Sequence, residues 1–235
     1  MTVGTQKRLG FSAIGGRKAK AEKIAAILAA AGSPLKPGDQ LLDLGCGSGE
    51  IAAQLATRAR VTCCDALDQR IQGVDLPFTA AGLTLPFANA SFDVVVTNHV
   101  IEHIPDAAIH VAEIRRVLRP GGIAYLATPN RWWPWEFHAR MLLLHYLPAG
   151  LFSQLAMRWG RLTEPVRLLS LGQLRGLADD LFDIDVWHPR ILQEPSRYAL
   201  NLPPAVGSIL HLIPQSLLYA SAGVQPTLIL VMRAR

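Results

Sequence analysis

Residues 41–50 read LLDLGCGSGE, with Asp43 two positions before three glycines, Gly45, Gly47 and Gly49, at alternate positions. Glycines in this arrangement let a chain turn through dihedrals that other residues avoid and let a ligand approach the main chain. The spacing differs from G-x-G-x-x-G, which aims a helix N-terminus at a pyrophosphate. An acid so close to the loop would repel a pyrophosphate and suit a ligand with an amine or a positive centre. A second acid, Asp65, ends the apolar run Arg60–Asp65 about 20 residues on, where a crevice of this kind places a ribose-binding carboxylate.

A second cluster lies in the block 98–104, NHVIEHI. If the chain here is helical, spacings of three and four put His99, Glu102 and His103 on one face. Two imidazoles and a carboxylate could bind a divalent metal. Either histidine could instead serve as a general base, and His103 could simply be a hydrogen-bonded residue at a helix start. The site is read here with His99 and His103 as its catalytic candidates and with no metal.

These residues need elements to hold them. Leu41, Leu42 and Leu44 form a buried strand, the glycines a tight turn, and Ile51–Ala59 the amphipathic helix after it. Strand patterns recur at 60–65, 94–97, 123–128, 183–187 and 227–232, and helix patterns at about 17–31, 106–118 and 168–181. Near-continuous apolar strands such as Phe92–Val96 indicate a parallel sheet covered on both faces. The expected fold is α/β: a Rossmann-like, doubly wound, seven-stranded, mostly parallel sheet.

The ordered blocks LPF (85–87), SFD (91–93), EHI (102–104), RPGG (119–122) and TPN (128–130) accompany the glycine loop. Together, over roughly residues 20–130, they resemble class I S-adenosylmethionine-dependent methyltransferases of the small-molecule type, in particular the ubiquinone-pathway group. The resemblance implies an antiparallel last strand, the sixth strand's hairpin partner. It implies S-adenosyl-L-methionine as cofactor, held by Asp43, Gly45, Cys46, Gly47, Gly49, Asp65, Ala66, Gly82, Leu83, Asn98 and His99. Relatives with the LPF block often carry an adenine-binding Asp four residues before its Leu; Ala81 stands there, which leaves the adenine to the backbone at Gly82 and Leu83 or to Asp75. Some ubiquinone-pathway relatives bind metal through an acid, a Glu and a His in the block matching 99–103, and His99 replaces the first acid.

Composition bounds the rest. With 235 residues and 50 % hydrophobic content, the chain suits one large domain. No apolar run reaches the roughly 18 residues that span a bilayer, and the N-terminus lacks a secretory signal's apolar core. Cys46, Cys63 and Cys64 fit neither a disulfide framework nor a zinc pattern and read as reduced thiols in the cytoplasm. Residues 1–40 carry seven basic against two acidic residues, the whole net charge of +5. Residues 1–14 read as a flexible arm, and 129–167 and 188–223 as helical cap insertions over the acceptor pocket. Trp132, Trp133, Trp135 and Trp159 lie in the first insertion, and six arginines between 131 and 175 face two glutamates. This composition suits ordinary packing of the cap, an apolar acceptor with an anionic end, or peripheral contact with lipid headgroups. His138 and His145, seven apart, could share a helix face.

The expected function is methyl transfer to a small-molecule acceptor, apolar or lipid-linked. A nucleic-acid methyltransferase would be expected to carry an NPPY-like tetrapeptide at 98–101, where NHVI stands, so no nucleic-acid partner is expected. A cofactor-binding protein without chemistry is the other alternative. Oligomeric state is left open by the sequence.

Overall fold

The computed structural model describes residues 14–200 and 212–235. The arm expected over 1–14 falls, but for Ile14, outside the described residues, as does part of the 188–223 connection.

The chain opens on helix α1 (Ile14–Ala30) and alternates through β1 (Gln40–Leu44), α2 (Glu50–Leu55), β2 (Arg60–Asp65), β3 (Phe78–Ala80), β4 (Phe92–Asn98), α3 (Ala107–Val117) and β5 (Leu118–Pro129). A two-stranded hairpin follows, β6 (Trp135–Glu136) and β7 (Met141–Leu142), then α4 (Ala149–Arg158), α5 (Leu171–Ala178), β8 (Phe182–Val186), α6 (His188–Gln193), α7 (Gln215–Ala220) and β9 (Thr227–Ala234). Seven strands form one sheet in the order β3-β2-β1-β4-β5-β9-β8. Six run parallel and β9 antiparallel. The expected architecture is present, with one refinement: β9 pairs with β5 as well as with its expected partner β8. The third strand in chain order is β3, whose three residues are too few to show an alternating pattern.

Both faces of the sheet are buried, which is why its strands read as continuous apolar runs. Leu41, Cys63, Val94 and Val96 face one core with Ile24, Ile27 and Leu28 of α1. Leu42, Leu44, Cys64 and Val95 face the other, with Val111, Ile114 and Val117 of α3 and Leu174 of α5. Residues of α1 recur at three and four positions along one stripe, the period that turns one helix face inward. Asp106 starts α3 by accepting hydrogen bonds from the Ala108 and Ile109 amides at 2.9 and 3.1 Å. Beyond it, the RPGG block is absorbed as an irregularity in β5: Phe92 pairs with Leu118, and pairing resumes at Val94 with Ile123.

Sequential neighbours lie on opposite sides of β1, with β2 on one side and β4 on the other. The strand order reverses there, so a crevice opens outside the carboxyl ends of β1 and β4, the usual ligand position in open α/β sheets.

Candidate active site

The glycine loop leaves β1 at that crevice. Gly45, Gly47 and Gly49 have φ of +79°, +52° and +73°. The Gly45 and Cys46 amides donate to the Cys64 carbonyl at 2.7 and 3.1 Å, which staples the loop to β2. Asp65, the last residue of β2, accepts from the Gly47 amide through Oδ2 at 2.8 Å and from the Ala66 amide through Oδ1 at 2.7 Å. One carboxylate therefore ties the glycine loop to the end of the neighbouring strand. Asp43 lies beneath the loop, buried, and its Oδ2 makes no hydrogen bond. Burial, and then the charge of Asp65, push its carboxyl up to about 7.

The expected cofactor residues fall into three groups. Asp43, Gly45, Gly47, Gly49, Asp65 and Ala66 come together at the loop. The Cys46 side chain is buried in the core with Cys63, so it anchors the loop. Gly82 and Leu83 lie just past Ala81, whose amide donates to the Asp65 carbonyl at 3.0 Å; both are exposed. Asp75 is exposed on the connection before β3.

Asn98 ends β4 opposite Ala127 of β5. His99 follows with φ +59°, and its amide donates to the Ala127 carbonyl at 2.8 Å. A non-glycine residue in the left-handed region is costly and concentrates at functional sites. The next residue, Val100, packs over Gly45, so this block and the glycine loop form one unit.

The helical face expected for His99, Glu102 and His103 does not form. The turn is a three-residue 3₁₀ helix, Ile101–His103, which begins after His99. His99 Nδ1 lies 3.4 Å from Glu102 Oε1, whereas His103 Nδ1 lies 3.4 Å from Glu164 Oε1. The Glu102 side chain is fully buried; its Oε2 accepts from Thr128 Oγ1 at 2.9 Å, and Oε1 makes no hydrogen bond. Burial opposes its ionisation, but His99 and then the other favourable contacts outweigh that and hold the carboxyl below the usual range.

The segment after β5 completes the cluster. It leaves and returns at one neck, where Asn130 and Leu169 form a parallel bridge and the Asn130 amide group donates to the Gly223 and Gln225 carbonyls at 2.9 and 2.8 Å. Between these ends it has its own core, around Phe152, Ala156, Leu162 and Val166. The Arg167 amide donates to the Glu102 carbonyl at 2.8 Å. Buried Glu136 accepts from the His138 amide at 3.0 Å, lies 2.7 Å from His138 Nδ1 and also accepts from the Ala139 amide. His138 Nε2 lies 3.9 Å from Glu102 Oε1, and its ring meets that of His103 edge-on at 5.2 Å. Glu102, His103 and His138 each bring a donor atom within 4.8 Å of the others.

Residues 42–126, from within β1 to within β5, match the family described as Methyltransferase domain. Over this stretch the chain is similar to that family. Over 155 residues the chain is 30 % identical to the ubiquinone biosynthesis O-methyltransferase of Cereibacter sphaeroides, covering 60 % of each protein. Over 103 residues it is 36 % identical to the 27-O-demethylrifamycin SV methyltransferase of Amycolatopsis mediterranei, covering 38 % of each. The chain thus spans about 60 % of the length of the ubiquinone-pathway relative it matches. The fold also resembles that of Haemonchus contortus phosphoethanolamine N-methyltransferase 2, solved in complex with S-adenosyl-L-methionine, with a TM-score of 0.55 and 17 % identity over 94 % of this chain and 57 % of that one.

Glu136 and His138 lie beyond the stretch that the family model matches. In sequence, Glu136 is no more than an offset to arginine, and His138 a partner for His145. The two histidines share no helix: His138 sits in the β6–β7 hairpin, and His145 lies in a 3₁₀ turn, 3.0 Å from the Arg131 carbonyl. The available signal is an acid and a histidine two residues apart in an aromatic segment, WEFH at 135–138.

Proposed function

We propose that the chain transfers a methyl group from S-adenosylmethionine to a small-molecule acceptor, apolar or lipid-linked, which enters beneath the 129–167 excursion. The observation that carries this reading is Asp43: a buried carboxylate with an unpartnered oxygen under three left-handed glycines. Such a site favours a ligand that brings positive charge to the main chain, as the ammonium and sulfonium of this cofactor do. Asp65 and the loop amides would hold the ribose and the amino-acid portion. The cofactor supplies an activated methyl; the protein aligns the acceptor, excludes water and takes up its proton.

The first test is thermal. S-adenosylhomocysteine should raise the melting temperature in a concentration-dependent way, as any ligand selective for the native state must. Stabilisation by NADH with no effect of S-adenosylhomocysteine would sink the reading.

A cytoplasmic enzyme at an anionic membrane surface is the associated proposal for the acceptor side. Among the described residues, no helix is long and apolar enough to cross a membrane. The excursion instead exposes Trp132, Trp135, Phe137, Leu142, Leu143 and Trp159, in a segment rich in arginine. Exposed aromatics with basic neighbours favour the headgroup boundary of anionic lipid. Co-sedimentation with phosphatidylglycerol vesicles, weakened by salt, is the expected result; equal recovery with and without vesicles would remove this part.

A further inference from the structure

We propose that His138 is the general base that takes the proton from the acceptor, and that Glu136 is its positioning residue. The proposal rests on the methyl-transfer reading above and assigns the proton to a residue outside the matched domain.

The geometry is that of a base held by a carboxylate. Glu136 is buried, and it accepts two main-chain amides from its own hairpin, those of His138 and Ala139. It is therefore fixed before it meets the ring. With the Glu136 carboxylate 2.7 Å from Nδ1, the neutral imidazole keeps its proton on Nδ1 and its lone pair on Nε2. Nε2 points toward Glu102 Oε1, 3.9 Å away, too far for a direct hydrogen bond. The same Glu102 oxygen has His99 Nδ1 3.4 Å away, so His99 and His138 flank one buried carboxylate. The His138 side chain remains 25 % exposed, so the ring is reachable.

The candidates from sequence are less well placed. His99 turns Nδ1 toward the same Glu102 Oε1, at 3.4 Å, with no second carboxylate on its ring among the described residues. His103 turns toward Glu164. Of these three histidines, His138 is the one with a buried carboxylate at hydrogen-bond distance of one nitrogen, Glu136 on Nδ1, and its other nitrogen toward Glu102 on the turn after β4. Burial alone would lower its basicity, but the Glu136 hydrogen bond, then the charges of Glu136, Glu102 and Glu164, raise it above the ordinary histidine range. The groups facing the ring are therefore Glu136 on its hairpin, Glu102 and His103 on the turn after β4, and Glu164 after α4.

The proton balance is simple. As the acceptor oxygen bonds to the methyl carbon, the carbon–sulfur bond breaks with its electron pair left on sulfur, and the hydroxyl proton passes to His138 Nε2. The imidazolium sits between two carboxylates and returns the proton to water. A base of this strength suits a phenolic hydroxyl, whose pKa of about 10 lies within a few units of imidazole. It does not suit an alkyl alcohol.

The experiment has two arms. In the ligand-free protein, imidazole ¹⁵N NMR, with H138Q for assignment, should show His138 titrating above 6.5, its neutral form protonated on Nδ1; E136Q should lower that midpoint. A midpoint unaffected by E136Q, or a neutral form protonated on Nε2, overturns the proposal. In the second arm, methylation of a panel of phenols and catechols is followed by S-adenosylhomocysteine release. H138Q should reduce kcat by about 100-fold or more while S-adenosylhomocysteine still raises the melting temperature, a loss within the range for a missing base. The neutral form is the active one, so activity should rise with pH through the His138 midpoint, and E136Q should move that limb to lower pH. Unchanged turnover in H138Q overturns the proposal. So does activity abolished by EDTA and restored by magnesium, or no turnover of any phenol by a wild type that binds S-adenosylhomocysteine. A wild type that shows no S-adenosylhomocysteine shift fails the methyl-transfer reading itself, and the NMR arm still decides the dyad.

Discussion

The glycine loop and the β6–β7 hairpin both contribute to the candidate site, but they are built in different ways. The loop is made of main chain. Its amides are fixed by Cys64 and Asp65 on the adjoining strand, so parallel pairing of β1 with β2 largely sets its shape. The hairpin is made of side chains. Glu136 and His138 meet Glu102 and His103 from a distant part of the sequence, through an excursion pinned at Asn130 and Leu169. A backbone site depends on the absence of side chains; a side-chain site depends on ionisable groups and their burial. The two should therefore fail differently when perturbed.

The largest effect should come from the loop. A Cβ on Gly45 would lie 2.2 Å from Val100 Cγ2 and 2.9 Å from Cγ1. Valine has little rotamer freedom with which to retreat. Gly45→Ala should cost about 1–2 kcal/mol for the left-handed backbone and roughly 1–3 kcal/mol more for overpacking. It should also separate the loop from the His99 block. Gly47 also has positive φ but meets no atom within 4 Å, so Gly47→Ala should cost only the first of these amounts. Its methyl would still stand on the open side of the loop and weaken S-adenosylhomocysteine binding. Urea unfolding of both variants checks this. Equal stability losses would mean that Val100 yields easily and the loop is not the rigid unit described.

Asp43 gives the next effect, and its two consequences have opposite signs. Its carboxyl stands at about 7 in the folded protein against 3.8 ordinarily. The folded chain therefore keeps a proton that the unfolded chain has given up. The stability from this group is complete below 3.8 and lost as pH rises through 7. At pH 8 the ionised, buried carboxylate costs up to about 4 kcal/mol, because each tenfold weakening of its acidity is worth about 1.4 kcal/mol. Asp43→Asn should make the ligand-free protein more stable at pH 8, with a gain that shrinks toward pH 4. The same change should reduce cofactor affinity, because a positive ligand is what makes the ionised form favourable. In the wild type, affinity should accordingly fall as pH drops below 7. Denaturation at pH 4 and 8 together with isothermal titration tests both halves; a variant less stable than wild type at pH 8 would contradict the burial argument.

These differences explain what can be read from the chain alone. The glycine loop, Asp65 and the parallel sheet are local patterns: alternate glycines, strand-length apolar runs and an acid at a strand end. Burial on both sheet faces leaves continuous Leu, Val and Ile runs that mark strands directly. β3 has three residues and no periodicity. The spacing of His99, Glu102 and His103 fits a helical face, but a one-turn 3₁₀ helix starting after His99 sends the two histidines to different carboxylates. The Glu136–His138 pair depends on where a hairpin folds back, and spacing within WEFH says nothing of the turn after β4.

The smallest effect on the fold should come from the outer surface of the 129–167 excursion. Trp132, Trp135 and Trp159 are 51, 43 and 53 % exposed, so about half of each residue is already in water. Trp132 meets Tyr146 in a tilted ring contact at 5.9 Å. Replacing all three by Ser should shift stability by only about 0.5 kcal/mol per site, and should leave S-adenosylhomocysteine binding unchanged, since the loop is held by the sheet. Affinity for anionic vesicles should behave otherwise, because moving the exposed half of each indole into the headgroup boundary adds about 1 kcal/mol per site, and the three contributions act together. The triple variant should therefore remain folded, bind cofactor and lose most vesicle association. Sedimentation with phosphatidylglycerol vesicles at low salt, beside thermal melts with S-adenosylhomocysteine, separates the two quantities. Undiminished vesicle binding would move the contact to another surface, and a large drop in melting temperature would make these aromatics part of the excursion's own packing.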